Sequence, residues 1–199
     1  MCSFSNKDGW FSYAKPVIEK LHGGNFLMEY IRLGKTNLLI SRVAFGAMRL
    51  TDSVGEDNAA LLVRKAYDAG LNFFDTSIQY PESEKLLGDA LYDIRKNIFL
   101  STTTAAKSWG ELTENLETSL MTLHTDSVDL YQFETEDFIP LPGASDKIYD
   151  TLLDLKNQNK LRNFGIVTTN FETAKKVVES DLFETLQFPF SLVSPEEDL

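Results

Sequence analysis

Residues 73–88 read Phe73-Phe74-Asp75-Thr76-Ser77-Ile78-Gln79-Tyr80-Pro81-Glu82-Ser83-Glu84-Lys85-Leu86-Leu87-Gly88. The apolar run 71–74 is typical of a buried strand, and a helical pattern begins at residues 83–84. Between the two lie an acid, Asp75, directly after the run, and a phenol, Tyr80, in a short loop. Barrel enzymes built from alternating strands and helices keep their chemistry at the carboxyl ends of the strands. We therefore expect Asp75 and Tyr80 to belong to a catalytic site.

The same unit, a short apolar strand followed by an amphipathic helix, repeats along the chain after a small hairpin at residues 34–37. The predicted strands are 43–45, 72–74, 98–101, 130–133, 164–167 and 186–188. The predicted helices are 58–69, 83–93, 109–122, 145–157 and 171–180. Strands that alternate with helices of this length indicate crossover connections and a parallel sheet.

The stretch 73–88 resembles the aldo-keto reductase family, whose second strand and loop read Phe-Asp-Thr-Ala, then Tyr, then Ser-Glu and Leu-Gly. The resemblance runs from residues 28–36, through 44–50, to 186–191. It is strongest to the bacterial branch that often carries a ferredoxin-like tail, in which Asp-Leu-Tyr-Gln-Phe-His and Glu-Thr-Leu-Gln-Phe-Pro-Phe recur. The resemblance implies an α/β fold, a (β/α) TIM-type barrel, of which about six of the eight strand-helix units are visible here.

The visible units leave the barrel incomplete. Residues 194–199 carry a serine cap, a proline and acids, which is the start of a helix or else a frayed polar end. An open barrel exposes strand edges, so we expect a second copy, a partner chain or the N-terminal segment to cover them. We assign residues 1–27 to an N-terminal extension, either an apolar plug or a disordered leader, and residues 28–199 to the partial barrel.

Composition limits the remaining classes. The chain has 199 residues, of which 43% are hydrophobic, and this suits one globular core. No run approaches the ~20 apolar residues of a membrane span, and no secretory signal is visible, so we expect a cytoplasmic protein. The single cysteine and two unclustered histidines predict no metal site. A net charge of −11 argues against nucleic acid and membrane partners.

The resemblance implies NADPH-dependent carbonyl reduction, with a tyrosine as general acid and an aspartate, a lysine and a histidine around it. Tyr80 and Asp75 match the tyrosine and the aspartate, but Thr103 stands in the place of the lysine. A phenol has a pKa of ~10, and Asp75 without a neighbouring cation would make Tyr80 a weaker acid still. Lys107 is a candidate replacement, although a solvated loop lysine is the simpler interpretation.

Glu134 stands in the place of the histidine. Some steroid double-bond reductases of the family carry glutamate there, where a protonated carboxyl donates a hydrogen bond to the substrate carbonyl. Residues 134–137 are alternatively a solvated acidic loop.

The family's nicotinamide contacts imply cofactor-binding roles for Thr168, Asn170 and Gln187, with Thr169 as a neighbour in register. The residues that grip the cofactor's phosphates belong to the seventh and eighth units, and no glycine-rich phosphate loop replaces them. NADPH retention is therefore in doubt.

Three functions stay open. The first is a reductase of small-molecule carbonyls with weak or lost activity in this chain alone. The second is a non-catalytic pseudoenzyme or regulatory binding subunit. The third is a non-redox acid–base enzyme that uses Tyr80, Asp75 and Glu134.

Overall fold

The structure, a computed structural model, describes residues 28–50 and 55–191. The strands are β1 Tyr30–Arg32, β2 Leu39–Ser41, β3 Phe45–Gly46, β4 Phe73–Ser77, β5 Phe99–Thr104, β6 Val128–Glu134, β7 Leu161–Val167 and β8 Thr185–Gln187. The α-helices are α1 Glu56–Asp68, α2 Pro81–Leu91, α3 Trp109–Thr122, α4 Ile148–Asn157 and α5 Phe171–Ser180, and a 3-10 helix spans Tyr92–Asn97.

Strands β3 to β8 form one six-stranded parallel sheet in strict chain order. This order, with helices between successive strands, confirms the predicted incomplete barrel of strand-helix units. Because all six strands run the same way, their carboxyl ends, with the loops that follow, meet at one edge of the sheet.

The alternation of side chains along each strand separates two apolar regions. Residues facing the helices, including Phe74, Leu100 and Tyr131, join the large core between the sheet and the helices. On the opposite face, Phe73 and Leu130 pack with residues of the hairpin in a smaller cluster at the amino end of the strands. Further along the same face the residues become polar.

The β1–β2 hairpin covers the amino end of the partial barrel. It is anchored to the strand that carries Asp75, because the backbone N–H of Ser41 donates to Asn72 Oδ1 (2.6 Å) and the N–H of Asn72 donates to Ser41 Oγ (3.1 Å). At the hairpin turn the N–H of Lys35 donates to the carbonyl of Glu184 (2.9 Å). Gly34 has φ +50°, and a Cβ there would lie 2.4 Å from that carbonyl, so the turn requires glycine. The hairpin thus ties the second strand of the sheet to the segment that leads into the sixth.

All six predicted strands and five predicted helices are present, and the differences lie at their ends. Strand β4 runs on to Ser77, so Asp75 lies inside the strand and not after it as the sequence suggested. The fourth helix begins at Ile148 and not at residue 145, because Lys147 has a left-handed backbone (φ 55°) and Asp146 Oδ1 accepts the N–H of Ile148. The leader 1–27 and the helix start at 194–199 lie outside the described residues.

Within the described ranges, none of the helices combines the length and the apolar character needed to cross a bilayer. In the same ranges, no group of three or more histidine, cysteine, aspartate or glutamate side chains is arranged to hold a metal ion.

Candidate active site

Asp75 lies in the middle of β4, on the sheet face opposite the helices, with 2% of its surface exposed. Burial disfavours the ionised carboxyl, while hydrogen bonds with Ser101, Gln132 and Gln187 partly offset this. The result is a pKa raised from 3.8 to about 6. These three partners are neutral, so Asp75 is a buried acid held by amides and a hydroxyl.

Gln132 on β6 is the centre of a polar layer that it forms with Asp75, Ser101 and Gln187. Its Nε2 donates to Gln187 Oε1 (2.7 Å), to Ser101 Oγ (3.2 Å) and to Asp75 Oδ1 (3.4 Å). An amide nitrogen has two hydrogens for these three acceptors. The longest of the three hydrogen bonds goes to Asp75, so the bond to the carboxylate is the weakest of the three.

Tyr80 lies in the turn that follows β4. Its backbone N–H donates to the carbonyl of Ser77 (2.9 Å), and Ser77 Oγ donates to the carbonyl of Thr103 (3.0 Å). Pro81 then starts α2, where its missing N–H costs nothing. The turn places the half-buried phenol at the carboxyl edge of the sheet.

The phenolic oxygen of Tyr80 has a cationic neighbour, Arg49. The Nε of Arg49 donates to this oxygen at 3.3 Å, and the guanidinium carbon lies 5.7 Å from the centre of the ring. Lys107, the cation that the sequence suggested for this position, is exposed before α3, where its backbone N–H donates to Glu111 Oε2 (2.7 Å). The cation beside Tyr80 is thus a residue that was not predicted.

Thr103 is buried on β5 and pairs in register with Ser77 on one side and Gln132 on the other. It therefore lies beside the polar layer, on the same face of β5 as Ser101 and two residues further along the strand. It places a hydroxyl where the family has a charged lysine. The structure brings Asp75, Thr103 and Gln187 to the same face of the sheet.

Glu134 ends β6 half-buried, in register with Val167. The next acid, Glu136, is engaged by the β7–α5 loop, where the N–H and hydroxyl of Thr169 (3.0 and 2.9 Å) and the hydroxyl of Thr168 (3.1 Å) donate to its carboxylate. Partial burial opposes ionisation of Glu136, but these hydrogen bonds outweigh it and hold its pKa below the usual value. The carboxylate of Glu136 thus has fixed partners within the chain, which the interpretation of residues 134–137 as a solvated loop did not include.

The residues predicted to contact a cofactor already have partners within the chain. Thr168 is fully buried and accepts the N–H of Asn170 (3.1 Å) in addition to its bond to Glu136. Asn170 Oδ1 caps α5 by accepting the N–H of Thr173 (3.2 Å), and Gln187 accepts from Gln132. Together they bring one hydroxyl and two side-chain amides to this part of the structure, the groups with which an amide-bearing ring could exchange hydrogen bonds. Among the described residues at this edge we find no helix N-terminus with a glycine-rich loop for its phosphates.

The aldo/keto reductase family model matches residues 42–199. This chain belongs to that family. Relatives include the uncharacterized oxidoreductase YqkF of Bacillus subtilis, 30% identical over 85% of this chain and 59% of its own length. L-galactose dehydrogenase of Arabidopsis thaliana is 33% identical over 70% of this chain and 48% of its own. The chain thus spans about half to three fifths of the length of these relatives.

Among solved structures, the holo form of aldo-keto reductase AKR11C1 from Bacillus halodurans superposes with a TM-score of 0.73 at 24% identity, over 83% of this chain and 58% of that one. This likeness concerns the fold, and it confirms the barrel architecture of the aldo/keto reductase family for strands β3–β8. The family is typically NADP-dependent.

The aldo/keto reductase motifs pointed to Asp75 and Tyr80 but not to Arg49 or Gln132. The topology makes Arg49 a candidate, because β3 and β4 are parallel neighbours and their following loops meet at one edge. Gln132 lies on β6, two strands away from β4. Arg49 and Lys107 each come three residues after a strand that neighbours β4, so connectivity alone does not choose between the two cations.

Proposed function

We propose that this chain is an aldo/keto reductase in which Tyr80 donates a proton to the oxygen of a small-molecule carbonyl, with weak turnover. The observation that carries this proposal is that the phenol of Tyr80 lies at the carboxyl edge of β4, beside the guanidinium of Arg49 and in the turn that follows the strand of the buried Asp75. Bound NADPH would supply the hydride for the carbonyl carbon, as is typical of the family. Thr168, Asn170 and Gln187 are the residues we propose to hold the nicotinamide end.

One replacement supports weak turnover. Thr103 brings no charge to Asp75, so the aspartate cannot orient a cation as the family's arrangement would. Glu134 stands in the place of the imidazole, but some reductases of the family also carry glutamate there, so this replacement alone is not expected to abolish activity.

The partner that Thr168 already has also supports weak turnover. Thr168 donates its single hydroxyl proton to Glu136, so donating it to NADPH requires that hydrogen bond to be exchanged, whereas Asn170 caps α5 with its oxygen alone. The exchange at Thr168 weakens cofactor binding, because the new hydrogen bond is formed at the expense of one that already stabilises the loop.

A second candidate function is a binding or regulatory subunit without turnover. The hydrogen bonds that Thr168, Asn170 and Gln187 already make within the chain favour it, since they occupy the hydroxyl of Thr168 and the amide oxygens of Asn170 and Gln187. The non-redox acid–base alternative relies on Tyr80, Asp75 and Glu134, and it shares the proton-donor step with the reductase.

The test uses the full chain with NADPH. Cofactor fluorescence and the melting temperature are followed to millimolar NADPH, and consumption at 340 nm is measured with a panel of aldehydes, ketones and enones. A ligand of the folded state must raise the melting temperature. We expect a small rise and slow NADPH consumption that Tyr80→Phe lowers at least ~100-fold, the range of a lost general acid.

The matched control is Tyr92→Phe, since Tyr92 is an exposed tyrosine (68%) in the 3-10 helix at the other end of α2. An equal loss in both variants would contradict the role of Tyr80. No melting shift and no consumption at millimolar NADPH would reject the reductase and favour the binding subunit.

A further inference from the structure

Arg49, in the loop after β3, is a cationic neighbour of the phenolic oxygen of Tyr80. We propose that Arg49 is a positioning residue that stabilises the phenolate of Tyr80, in place of the charge missing at Thr103. The inference rests on the proposed role of Tyr80 and deepens it.

The first support is the geometry of the two groups. The Nε–H of Arg49 points to the phenolic oxygen at 3.3 Å, and the guanidinium carbon is within cation–π distance of the ring at 5.7 Å. A phenolic oxygen can accept this hydrogen bond and still donate its own proton to a substrate. The negative charge left on the oxygen is then next to a group that is always protonated.

The second support is the backbone of the β3–α1 loop. Arg49 has a left-handed conformation, φ 62°, which is unfavourable for a residue with a Cβ. The turn is held on both sides, because the N–H of Ala47 donates to the carbonyl of Asp75 (2.8 Å) and the N–H of Leu50 donates to the carbonyl of Ala47 (3.0 Å). Glycine would suit this position better, so an arginine here indicates a use for its side chain.

The third support is the topology. Gly46, the last residue of β3, pairs in register with Asp75 on β4, so the loops after the two strands leave the sheet side by side. Tyr80 and Arg49 are thus carried by adjacent loops of the same edge. Lys107 follows β5, the other neighbour of β4, so the topology permits either cation, and the hydrogen bond to the phenolic oxygen assigns the role to Arg49.

The test reads the phenolate of Tyr80 without any cofactor. Aryl sulfonyl fluorides react with tyrosine as the phenolate, so the labelling rate of Tyr80, measured by peptide mass spectrometry, reports its formation. Tyr92 serves as the internal reference because its ring lies near His124 and far from this loop. We expect Arg49→Gln to slow labelling of Tyr80 about fivefold to tenfold relative to Tyr92, as is reasonable for a partly exposed charge-assisted hydrogen bond.

Further variants separate charge from folding. Arg49→Lys should keep most of the rate, since it keeps the charge. Arg49→Gly should lose as much as the glutamine variant without lowering the melting temperature, because glycine adopts the left-handed turn freely. The surface variant Arg42→Gln, which removes only the pair with Glu29, should change nothing at Tyr80.

Labelling of Tyr80 that is unchanged in Arg49→Gln, or unchanged in Arg49→Gly, would overturn the inference. A slower rate in both with full rate in the lysine variant would support it even if NADPH fails to bind. Failure of the reductase proposal, read from NADPH, and failure of this inference, read from labelling, are therefore distinguishable.

Discussion

Replacing Asp75 by asparagine should stabilise this protein increasingly as the pH rises. Asp75 is buried, and its pKa is raised to about 6 from 3.8 because burial outweighs its hydrogen bonds to neutral partners. The folded chain therefore holds a proton on Asp75 that the unfolded chain releases between about pH 4 and 6. Stability falls with rising pH wherever the folded state binds more protons, so the wild type loses stability across this window and not below it.

The size of the loss follows from the two pKa values. A separation from 3.8 to about 6, at 1.36 kcal/mol per pH unit, corresponds to about 3 kcal/mol once Asp75 is ionised in both states. Part of this loss has occurred by pH 5, and about 1.4 kcal/mol remains between pH 5 and pH 8. The asparagine variant lacks this dependence, while other titrating groups act equally in both proteins and cancel in the difference.

Urea unfolding of the wild type and Asp75→Asn at pH 5, 6, 7 and 8 measures this difference. The range stops at pH 5 because a chain of formal net charge −11 approaches neutrality in more acidic solution. We expect the variant to gain about 1.4 kcal/mol on the wild type between the two ends. Ser77→Ala, an uncharged change in the same strand, should give a difference that does not vary with pH. A constant difference for Asp75→Asn as well would refute the raised pKa and the cation-free surroundings on which it depends.

Three other changes test the structure elsewhere. Asp129→Ala should lower the free energy of unfolding by about 3–5 kcal/mol in urea, because its buried carboxylate pairs with two arginine side chains at 2.9 Å each. Glu84→Gln should gain stability on the wild type at pH 8 relative to pH 5, because burial raises the pKa of Glu84 despite a hydrogen bond from Thr102 (2.6 Å). Calorimetry at both pH values measures the difference in stability between variant and wild type. A difference that does not change with pH would mean that the site is solvated. Gly165→Ala should cost about 1–3 kcal/mol in urea unfolding, because its Cβ would lie 1.9 Å from Thr185 Oγ1, and an unchanged midpoint would contradict this close approach of β7 and β8.

The alternation of apolar strands and amphipathic helices was sufficient to predict a parallel sheet, and the family resemblance added the barrel, in which six strands follow one another in chain order. The predicted ends of the elements were less accurate, as at Asp75, which was placed after its strand but lies inside it. An acid after an apolar run usually marks the end of a strand, because ionised groups avoid the interior. Here β4 continues to Ser77, since Gln132 and Ser101 on the neighbouring strands provide partners for the buried carboxyl.

The site was predictable only as far as local motifs extend. Spacing within residues 73–88 identified Asp75 and Tyr80, and the family resemblance identified Thr103 as standing in the place of the lysine. Arg49 lies 31 residues before Tyr80, and Gln132 lies 57 residues after Asp75, so no local pattern connects them. The hydrogen bonds of Glu136 with Thr168 and Thr169 were missed for the same reason.

By itself, the sequence determined that this chain forms consecutive strand-helix units with an acid and a phenol beside one strand, because hydrophobic period and motif spacing are local properties. Only the tertiary structure decided which groups surround that acid and that phenol. Parallel strands bring the ends of distant segments to one edge, and the electrostatic surroundings of a side chain depend on distance in space. For Asp75 these surroundings are neutral amides and a hydroxyl, and for Tyr80 they include the guanidinium of Arg49.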